Sequence, residues 1–499
     1  MTRVLILVLA ALVCAAPAIM AADTDLAPKL RAALVTLKVT SQAYDLQNPW
    51  KTSDDRTSTS RGVLIDHGII LTKASNVRNR RMITVSVANS SRQYQAKLKH
   101  VDYRIGLAQV EIIDPELKRR LSPLEIGDPV KLDDEFDIYQ LGRDNLVERA
   151  TARVVRADAS GARLSLRVKT TLSDSGNGQI AVRDGKIVGL VTGTYASRQE
   201  GTLLSVETIR HYLNDFKDGK YDGLPGGGIW WRPLLRDDLR AYYGVGDDQH
   251  GMAVTRVMPD RTGHPVLKAG DVITEASGFA LDDEGNYVDP IHGQLSASYL
   301  FQGRQYAGDK IPLKILRKGK PMEIEILLPA WPTPEQRVPR GSVDKRPEFL
   351  VRGGLVILEL TRNRASRIGR SPNGVVLRRY RDRAGWDPPS ERKRIVYVNT
   401  VLADPTNKGF ETNLNRAVIK SVNGQPIHRL RDVLVALESP EGKYHVFRFE
   451  GLSPDFVIEA SKLAEIDKRI ADTYKVTLTE HLEDDEKEEE GCACGCGCG

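Results

Sequence analysis

The chain has 499 residues, with 72 Lys and Arg against 66 Asp and Glu, and a formal net charge of +6. Hydrophobic residues make up 41% and charged residues 28%, which excludes a disordered or fibrous protein and predicts about three globular domains. Basic clusters occur at residues 78–81, 378–383 and 391–394. They lie far apart and lack the regular aromatic interleaving that base stacking needs, so they favour solvated loops over a nucleic-acid site.

The N-terminal sequence, MTRVLILVLAALVCAAPAIMAAD, contains one Arg, then an apolar run, then small residues. This order predicts a secretory signal peptide over residues 1–22, cleaved after Ala18, Ala21 or Ala22. No other apolar run is long enough to cross a bilayer. We therefore expect a soluble protein that works in the periplasm or outside the cell.

Residues 23–220, the first block, consist of short apolar runs separated by turn residues. RGVLIDHGIILT, IGLAQVEII and GKIVGLVTG are examples, and their length and alternation predict antiparallel strands in a barrel or a sandwich. The helix-like segment VETIRHYLNDFKDGK closes the block. The Gly- and Pro-rich stretch YDGLPGGG at residues 221–228 predicts a linker.

Two further blocks follow, at residues 226–330 and 340–476, separated by a Pro-rich linker. In the second block, KGK at residues 318–320 predicts a hairpin turn between the alternating runs IPLKILR and PMEIEILL. The third block reads as strand, strand, helix, strand through RIVYVNTVLAD, NRAVIKSVNGQPI, LRDVLVALES and YHVFRFE. A helical stretch, EASKLAEIDKRIADTYKV, ends it.

Residues 477–499 form a tail in which like-charge repulsion within EHLEDDEKEEE predicts disorder. Apart from Cys14, every cysteine lies here, at Cys492, Cys494, Cys496 and Cys498, so disulfides do not stabilise the core. Alternating thiolates can hold Cu(I) or Zn, but the two-residue gap of structural zinc sites is missing. Crosslinking, surface attachment or no function are the other interpretations, and we expect no cofactor.

Long strings in the second half carry a family resemblance, among them HYLNDFKDGKYDGLPGGGIWW, SYLFQGRQYAGDKIPLKILRKGK and VLADPTNKGFETNLNRAVIKSVNGQPIHRLRDV. With LTKASNV and DGKIVGL in the first half, they make the mature chain similar to the HtrA (DegP, Do-like) proteases, in the branch that includes the plant Deg proteases. The resemblance implies a mainly β fold: a chymotrypsin-like double β-barrel followed by two PDZ-like α+β domains, the second divergent. It also implies a possible homotrimer.

The catalytic motifs of that family are degenerate in this chain. Where the family has LTNAHSV this chain has LTKASNV, which places Ser75 at the histidine position, and IGLAQV places Gly106 at the aspartate position. Counting back from DGKIVGL places Gly176 at the nucleophile position, whereas a one-residue slip places Ser175 there. A serine protease needs a base for its nucleophile. We therefore expect an inactive protease, and the alternative is a serine endopeptidase that uses Ser175 with an unrecognised base.

Three histidines of the first block are the available substitutes for the missing base: His67, His100 and His211. None stands in a catalytic motif. His67 falls on a predicted hairpin turn, and a lone histidine is more often a surface or turn residue than a catalyst. We expect none of the three to rescue catalysis.

The peptide-binding motif departs less from the family pattern than the catalytic motifs do. PDZ domains add a peptide as an extra strand beside one sheet edge, with backbone N–H groups of a Gly-containing loop binding its carboxylate. That loop corresponds to Gly227, Gly228 and Ile229, and Trp230 and Trp231 follow on a strand, so one tryptophan should pack inward and the other is a candidate to line the groove. The expected partners are unfolded proteins or C-terminal peptides, with no nucleic acid and no transmembrane segment.

Overall fold

The computed structural model describes residues 18–172, 177–258, 261–330, 337–341, 343–369, 371–383, 391–410, 412–451 and 453–483. Side chains are described from residue 26 onward. The predictions for residues 1–17 and for the four tail cysteines lie outside these ranges. The predicted disordered tail begins inside them, and the prediction is wrong for Glu480–His481, which form a strand paired with Phe349 and Leu350. Among the described helices, none has both the length and the apolar character needed to cross a membrane.

The first block folds into two closed barrels of six strands each, which confirms the expected double β-barrel. The strand order is β1-β2-β3-β6-β5-β4 in the first barrel and β10-β11-β12-β9-β8-β7 in the second. The elements are α1 (Ala18–Ala33), β1 (Leu34–Ser41), β2 (Arg56–Asp66), β3 (Ile69–Lys73), β4 (Arg80–Val87), β5 (Tyr94–Asp102), β6 (Leu107–Ile112), α2 (Pro115–Arg120), β7 (Glu135–Leu141), β8 (Val147–Ser160), β9 (Arg163–Thr170), β10 (Ile180–Arg183), β11 (Lys186–Tyr195), β12 (Glu200–Ser205) and α3 (Val206–Asn214).

Alternation of side chains explains why these strands close into barrels. Along β9 the burial alternates residue by residue: the side chains of Leu164, Leu166 and Val168 are buried, and those of Arg167 and Lys169 are exposed. A strand with one apolar and one polar face hides the apolar face when its sheet curls into a barrel. The buried leucine, isoleucine and valine side chains of both barrels form the core of this block.

The second block is a sheet in the order β13-β14-β15-β19-β20, with β16 added to β15 and a separate hairpin of β17 and β18. The predicted KGK turn is confirmed, because Lys318 and Gly319 join β19 to β20 with left-handed φ values of +53° and +74°. The elements are β13 (Ile229–Arg232), α4 (Asp237–Tyr243), β14 (Met252–Val257), β15 (Asp271–Ala276), β16 (Phe279–Ala280), β17 (Asn286–Asp289), β18 (Gly293–Ser296), α5 (Ser298–Gln302), β19 (Lys310–Arg317) and β20 (Lys320–Leu327).

The second block packs on the last helix of the barrels. His292 Nε2 lies 2.5 Å from Glu207 Oε1, and the ring of Tyr306 stacks on His211 with centroids 4.1 Å apart. Leu164 of β9 belongs to the hydrophobic core of the second block. The barrels and the second block therefore form one compact unit, which spans residues 1–41 and 56–331.

The third block forms a second unit with two four-stranded sheets, in the orders β23-β22-β21-β28 and β25-β24-β26-β27. The predicted strand, strand, helix, strand order and the closing helix are present. The elements are β21 (Phe349–Arg352), β22 (Leu355–Glu359), α6 (Arg362–Ala365), α7 (Pro372–Arg383), β23 (Val396–Val401), β24 (Ile419–Val422), β25 (Gln425–Pro426), α8 (Arg431–Leu437), β26 (Tyr444–Phe449), β27 (Phe456–Glu459), α9 (Leu463–Tyr474) and β28 (Glu480–His481).

The loop between β1 and β2, residues 42–55, belongs to this second unit. Its Trp50 is 3% exposed and lies in the core of the third block, 6.3 Å from the ring of Phe349. Arg364 and Asn399 bind the carbonyl oxygen of Leu46, and Asn399 also donates to that of Gln47 at 3.1 Å. The loop is thus anchored by one buried aromatic ring and by polar bonds to its backbone.

We predict that Trp50→Ala lowers the free energy of unfolding of the third block by about 3 kcal/mol, because it empties a large buried site. Urea unfolding measures this change. The matched control is Trp230→Ala, because Trp230 is 57% exposed and its loss should leave the midpoint unchanged. Equal midpoints for Trp50→Ala and wild type would contradict the anchoring role.

Candidate functional site

The structure brings the positions of the missing base and the missing acid together. The short 3₁₀ turn Ala74–Val77 follows β3 directly, and Ser75 within it is exposed. Gly106 lies in the turn between β5 and β6. The Ala74 N–H donates to the Gly106 carbonyl oxygen at 2.9 Å, so the two positions are joined through the backbone.

The turn that carries Gly106 is tightly bonded. Asp102 accepts hydrogen bonds from the backbone N–H groups of Arg104 and Ile105 and from the Tyr221 hydroxyl. Gly106 itself has φ +91° and donates its N–H to the Asp102 carbonyl oxygen at 2.8 Å. Side chains rarely adopt this φ, so the backbone at the acid position favours glycine.

Ser175 and Gly176, the candidates for the nucleophile position, lie outside the described residues. The residues that follow them line a cavity between the two barrels, together with Arg61 of β2. The Asn177 carbonyl oxygen accepts from the Arg61 N–H and from Asn76 Nδ2, both at 3.0 Å, and Thr72 Oγ1 donates to the Arg61 carbonyl oxygen at 2.7 Å. The end of β3 and the segment after the nucleophile position are therefore held together across the cleft.

Lys73, which no sequence motif pointed to, links the two barrels. Its amine donates to the carbonyl oxygen of Thr192 on β11 at 2.8 Å. Burial lowers the pKa of this amine, and the nearby charge of Arg163 lowers it further. The signal in the sequence is a lysine in LTKASNV where the family motif LTNAHSV has asparagine, but its partner lies 119 residues further along the chain.

The three histidines of the barrels have other environments. His67 is exposed on the turn between β2 and β3. His100 Nδ1 lies 2.9 Å from the Tyr212 hydroxyl within a cluster of aromatic rings, and burial lowers its pKa. His211 is buried against Tyr306, and burial lowers its pKa to about 4. In the described part of the chain, none of these rings bonds to Ser75 or to Gly106.

The loop of Gly227, Gly228 and Ile229 leads into an open sheet edge. β13 is the outer strand of its sheet, next to β14. The Gly228 carbonyl oxygen accepts from the Met258 N–H at 2.8 Å, and because backbone directions alternate along a strand, the polar groups of Ile229 point away from β14. Ile229 itself is 8% exposed, and its side chain packs in the core.

The two tryptophans of β13 have different surroundings. Trp230 is 57% exposed, whereas Trp231 is half-buried against the core of the second block. A β-bulge lies between them in the pairing with β14. Trp230 is thus the aromatic side chain that an added strand could contact.

Sequence analysis also missed Arg261 beside this loop. A β-carbon on Gly228, where φ is +155°, would lie 2.5 Å from Arg261 Cβ. The backbones at these two residues are therefore in close approach, which only glycine permits. Gln302 approaches Gly227 in the same loop and lies 3.3 Å from a guanidinium nitrogen of Arg104, in the barrels.

No group of three or more His, Cys, Asp or Glu side chains within the described ranges is arranged to hold a metal ion. The tail cysteines lie outside those ranges. The expectation that the protein has no cofactor therefore stays a prediction.

Residues 338–480 match a family model described as a PDZ domain. Two similar proteins come from Arabidopsis thaliana. Protease Do-like 2, chloroplastic, is 27% identical over 84% of this chain and 70% of its own length. Putative protease Do-like 3, mitochondrial, is 25% identical over 79% of this chain and 69% of its own length. The periplasmic pH-dependent serine endoprotease DegQ of Escherichia coli (strain K12) is 25% identical over 54% of this chain and 58% of its own.

A solved structure with a similar fold is the HtrA-type protease AlgW with a decapeptide. It is 16% identical, with a TM-score of 0.47, and the match covers 62% of this chain and 99% of that one. The sequence similarity to Do-like proteases over about four fifths of the chain, together with the paired barrels and the PDZ domain, supports a relationship of this chain to the HtrA/Deg-type proteases.

Proposed function

We propose that this protein is a pseudoprotease of the HtrA type that binds polypeptides without cutting them, as a chaperone or scaffold. The observation that carries the proposal is the pair of residues at the base and acid positions, an exposed Ser75 and a Gly106 with φ +91°. The hydroxyl of serine does not accept a proton near neutral pH, and glycine has no side chain to orient a base.

The chemistry of acyl transfer explains why this pair is decisive. A serine hydroxyl attacks a carbonyl carbon only when a base removes its proton, and an acid group orients that base. The members of the triad act as a unit, and removal of the base alone costs roughly a million-fold in rate. Any serine in the cleft would therefore be a very slow nucleophile.

Lys73 bears on the alternative. Its amine donates to the Thr192 carbonyl oxygen and so connects β3 to β11. Burial lowers the pKa of this amine, and a lysine with a lowered pKa can serve as a base. Lys73 is therefore the first residue to replace if the protein proves to be an active endopeptidase.

Polypeptide capture is assigned to the second block. The outer edge of β13 supplies backbone groups that point away from β14, the glycine loop supplies N–H groups for a carboxylate, and exposed Trp230 supplies an apolar contact. In the third block, β22 follows a Gly353-Gly354 turn but is paired on both sides, with β21 and β23. The strand after this glycine turn therefore has no free edge to which a peptide could add, and we assign the third block to packing or assembly.

The site of action follows from the predicted signal peptide and stays part of the proposal. A chain exported from the cytoplasm would meet unfolded proteins and C-terminal peptides in the periplasm or outside the cell. The homotrimer implied by the family resemblance would present several such binding edges at once, which raises avidity.

We predict that purified protein neither degrades unfolded casein nor reacts with a fluorophosphonate probe. The physical reason is the missing base beside any serine in the cleft. Gel assays of casein and mass spectrometry of the probe-treated protein measure both reactions. Casein cleavage together with probe attached at Ser175, both abolished by Ser175→Ala, would establish the alternative, an active serine endopeptidase.

We predict that Gly228→Val weakens binding of hydrophobic C-terminal peptides by about tenfold or more, about 1.4 kcal/mol. The added side chain would meet Arg261 Cβ and block the approach of the carboxylate. Calorimetry with a peptide panel measures the affinity, and a thermal melt checks folding. Unchanged affinity in Gly228→Val, or binding that survives removal of residues 226–330, would move the site elsewhere.

We predict that Gly106→Ala lowers the free energy of unfolding by about 1 kcal/mol, because alanine disfavours φ +91°. A clash does not contribute, since the nearest heavy atom to the added carbon would be 3.9 Å away. The control is Gly193→Ala on β11, where a β-carbon meets nothing within 4 Å and φ is not left-handed. Equal stability of both variants would contradict the argument from backbone conformation.

A further inference from the structure

The guanidinium group of Arg163 occupies the place that faces the acid position. Arg163 is the first residue of β9. If Gly106 carried a β-carbon, the three nearest heavy atoms would be Arg163 Cζ and Nη1 at 3.9 Å and Nη2 at 4.0 Å. A carboxylate on residue 106 would therefore meet this guanidinium, and glycine leaves that space open.

Among the described residues, Nε of Arg163 finds no hydrogen-bond acceptor, although a buried donor normally has one. Arg163 is half-buried, and its Nε is buried with no acceptor among the described residues. Burial lowers its pKa, and no described carboxylate counteracts that shift. An arginine with a purely structural role commonly donates to backbone carbonyl oxygens. Arg104 is an example, because its guanidinium donates to the carbonyl oxygens of Leu224 and Pro225.

A second cation lies close by and increases the cost. The charge of Arg163 acts on the amine of Lys73, which is itself partly buried. Two positive charges in a region of low dielectric repel each other, and burial of a charge without a counter-ion is strongly unfavourable. An anion beside Arg163 would relieve both effects.

We propose that Arg163 forms a carboxylate-binding site beside Gly106, where its guanidinium receives a terminal or side-chain carboxylate of a polypeptide ligand. The planar fork of a guanidinium matches the two oxygens of a carboxylate and forms paired, charge-assisted hydrogen bonds. This site is separate from the peptide-binding edge proposed for the second block, because Arg163 and Gly106 belong to the barrels. No covalent step is involved.

The test compares Arg163→Gln with Arg167→Gln in the full chain. Arg167 is on the same strand and the same face, but its side chain is 51% exposed and 3.9 Å from Asp158. Calorimetry measures binding of a peptide with a free C-terminus and no acidic side chain, of its C-terminal amide, and of sodium acetate. We expect Arg163→Gln to weaken binding of the free-carboxylate peptide by about tenfold or more, and Arg167→Gln to have no effect.

The same titrations in a Gly228→Val background separate this site from the edge of the second block. If the second-block proposal is wrong, Gly228→Val changes nothing, and the effect of Arg163→Gln is still measured in both backgrounds. Binding of acetate that Arg163→Gln abolishes would show that a small carboxylate suffices. Loss of peptide binding without acetate binding would show that a polypeptide is required.

Thermal melts give a second readout that does not depend on a chosen peptide. Replacing chloride by acetate at equal ionic strength should raise the melting temperature of wild type and Arg167→Gln but not that of Arg163→Gln if acetate binds. Without carboxylate, Arg163→Gln should melt no lower than wild type, because it removes an unpaired cation. If Arg163→Gln does not fold, Arg163→Lys, which keeps the charge but loses the fork, should bind the free-carboxylate peptide more weakly.

The proposal is overturned if the peptide with the free C-terminus and its amide bind wild type equally. It is also overturned if Arg163→Gln and Arg167→Gln bind the free-carboxylate peptide as tightly as wild type does.

Discussion

The hydrogen bond from the Ala74 N–H to the Gly106 carbonyl oxygen, 2.9 Å long, is the contact on which the arrangement of the cleft depends. It joins the end of β3 to the turn before β6, and so sets the positions of the base and the acid. Because it uses backbone atoms alone, it does not require histidine or aspartate at those positions. The arrangement of these two segments is therefore compatible with serine and glycine at positions 75 and 106.

Two basic side chains lie near this bond. The amine of Lys73 donates to the Thr192 carbonyl oxygen, and the guanidinium of Arg163 is the group nearest to the position of a β-carbon on Gly106. A guanidinium suits the recognition of a carboxylate. Under the two proposals, glycine at position 106 removes the acid group of a triad and leaves Arg163 able to bind a carboxylate from a ligand.

Much of the fold could be predicted from local pattern. Alternation along β9 and the glycine turn at Lys318 and Gly319 each act within a few residues, so the sequence reveals them directly. The cleft is different, because Lys73 meets Thr192, and Gly106 meets Arg163, only after the barrels close. No local pattern encodes those pairs.

The loop of residues 42–55 shows the same limit. Its sequence reads as an ordinary polar connection between β1 and β2, and only the burial of Trp50 in the third block reveals its role. In the same way, only the tertiary structure shows that Cβ of Arg261 lies close to Gly228 in the peptide loop. The candidate site was located from the motif, but the residues that shape its chemistry came from the tertiary structure.

The central claim is that this protein binds polypeptides and leaves them intact. The most direct measurement incubates the full-length protein with a saturating C-terminal peptide for about a day and then determines the mass of the recovered peptide and of the protein. The account predicts saturable binding, a peptide of unchanged mass and no acyl adduct on the protein. Shortened peptide, with cleavage that disappears in Ser175→Ala, would contradict it.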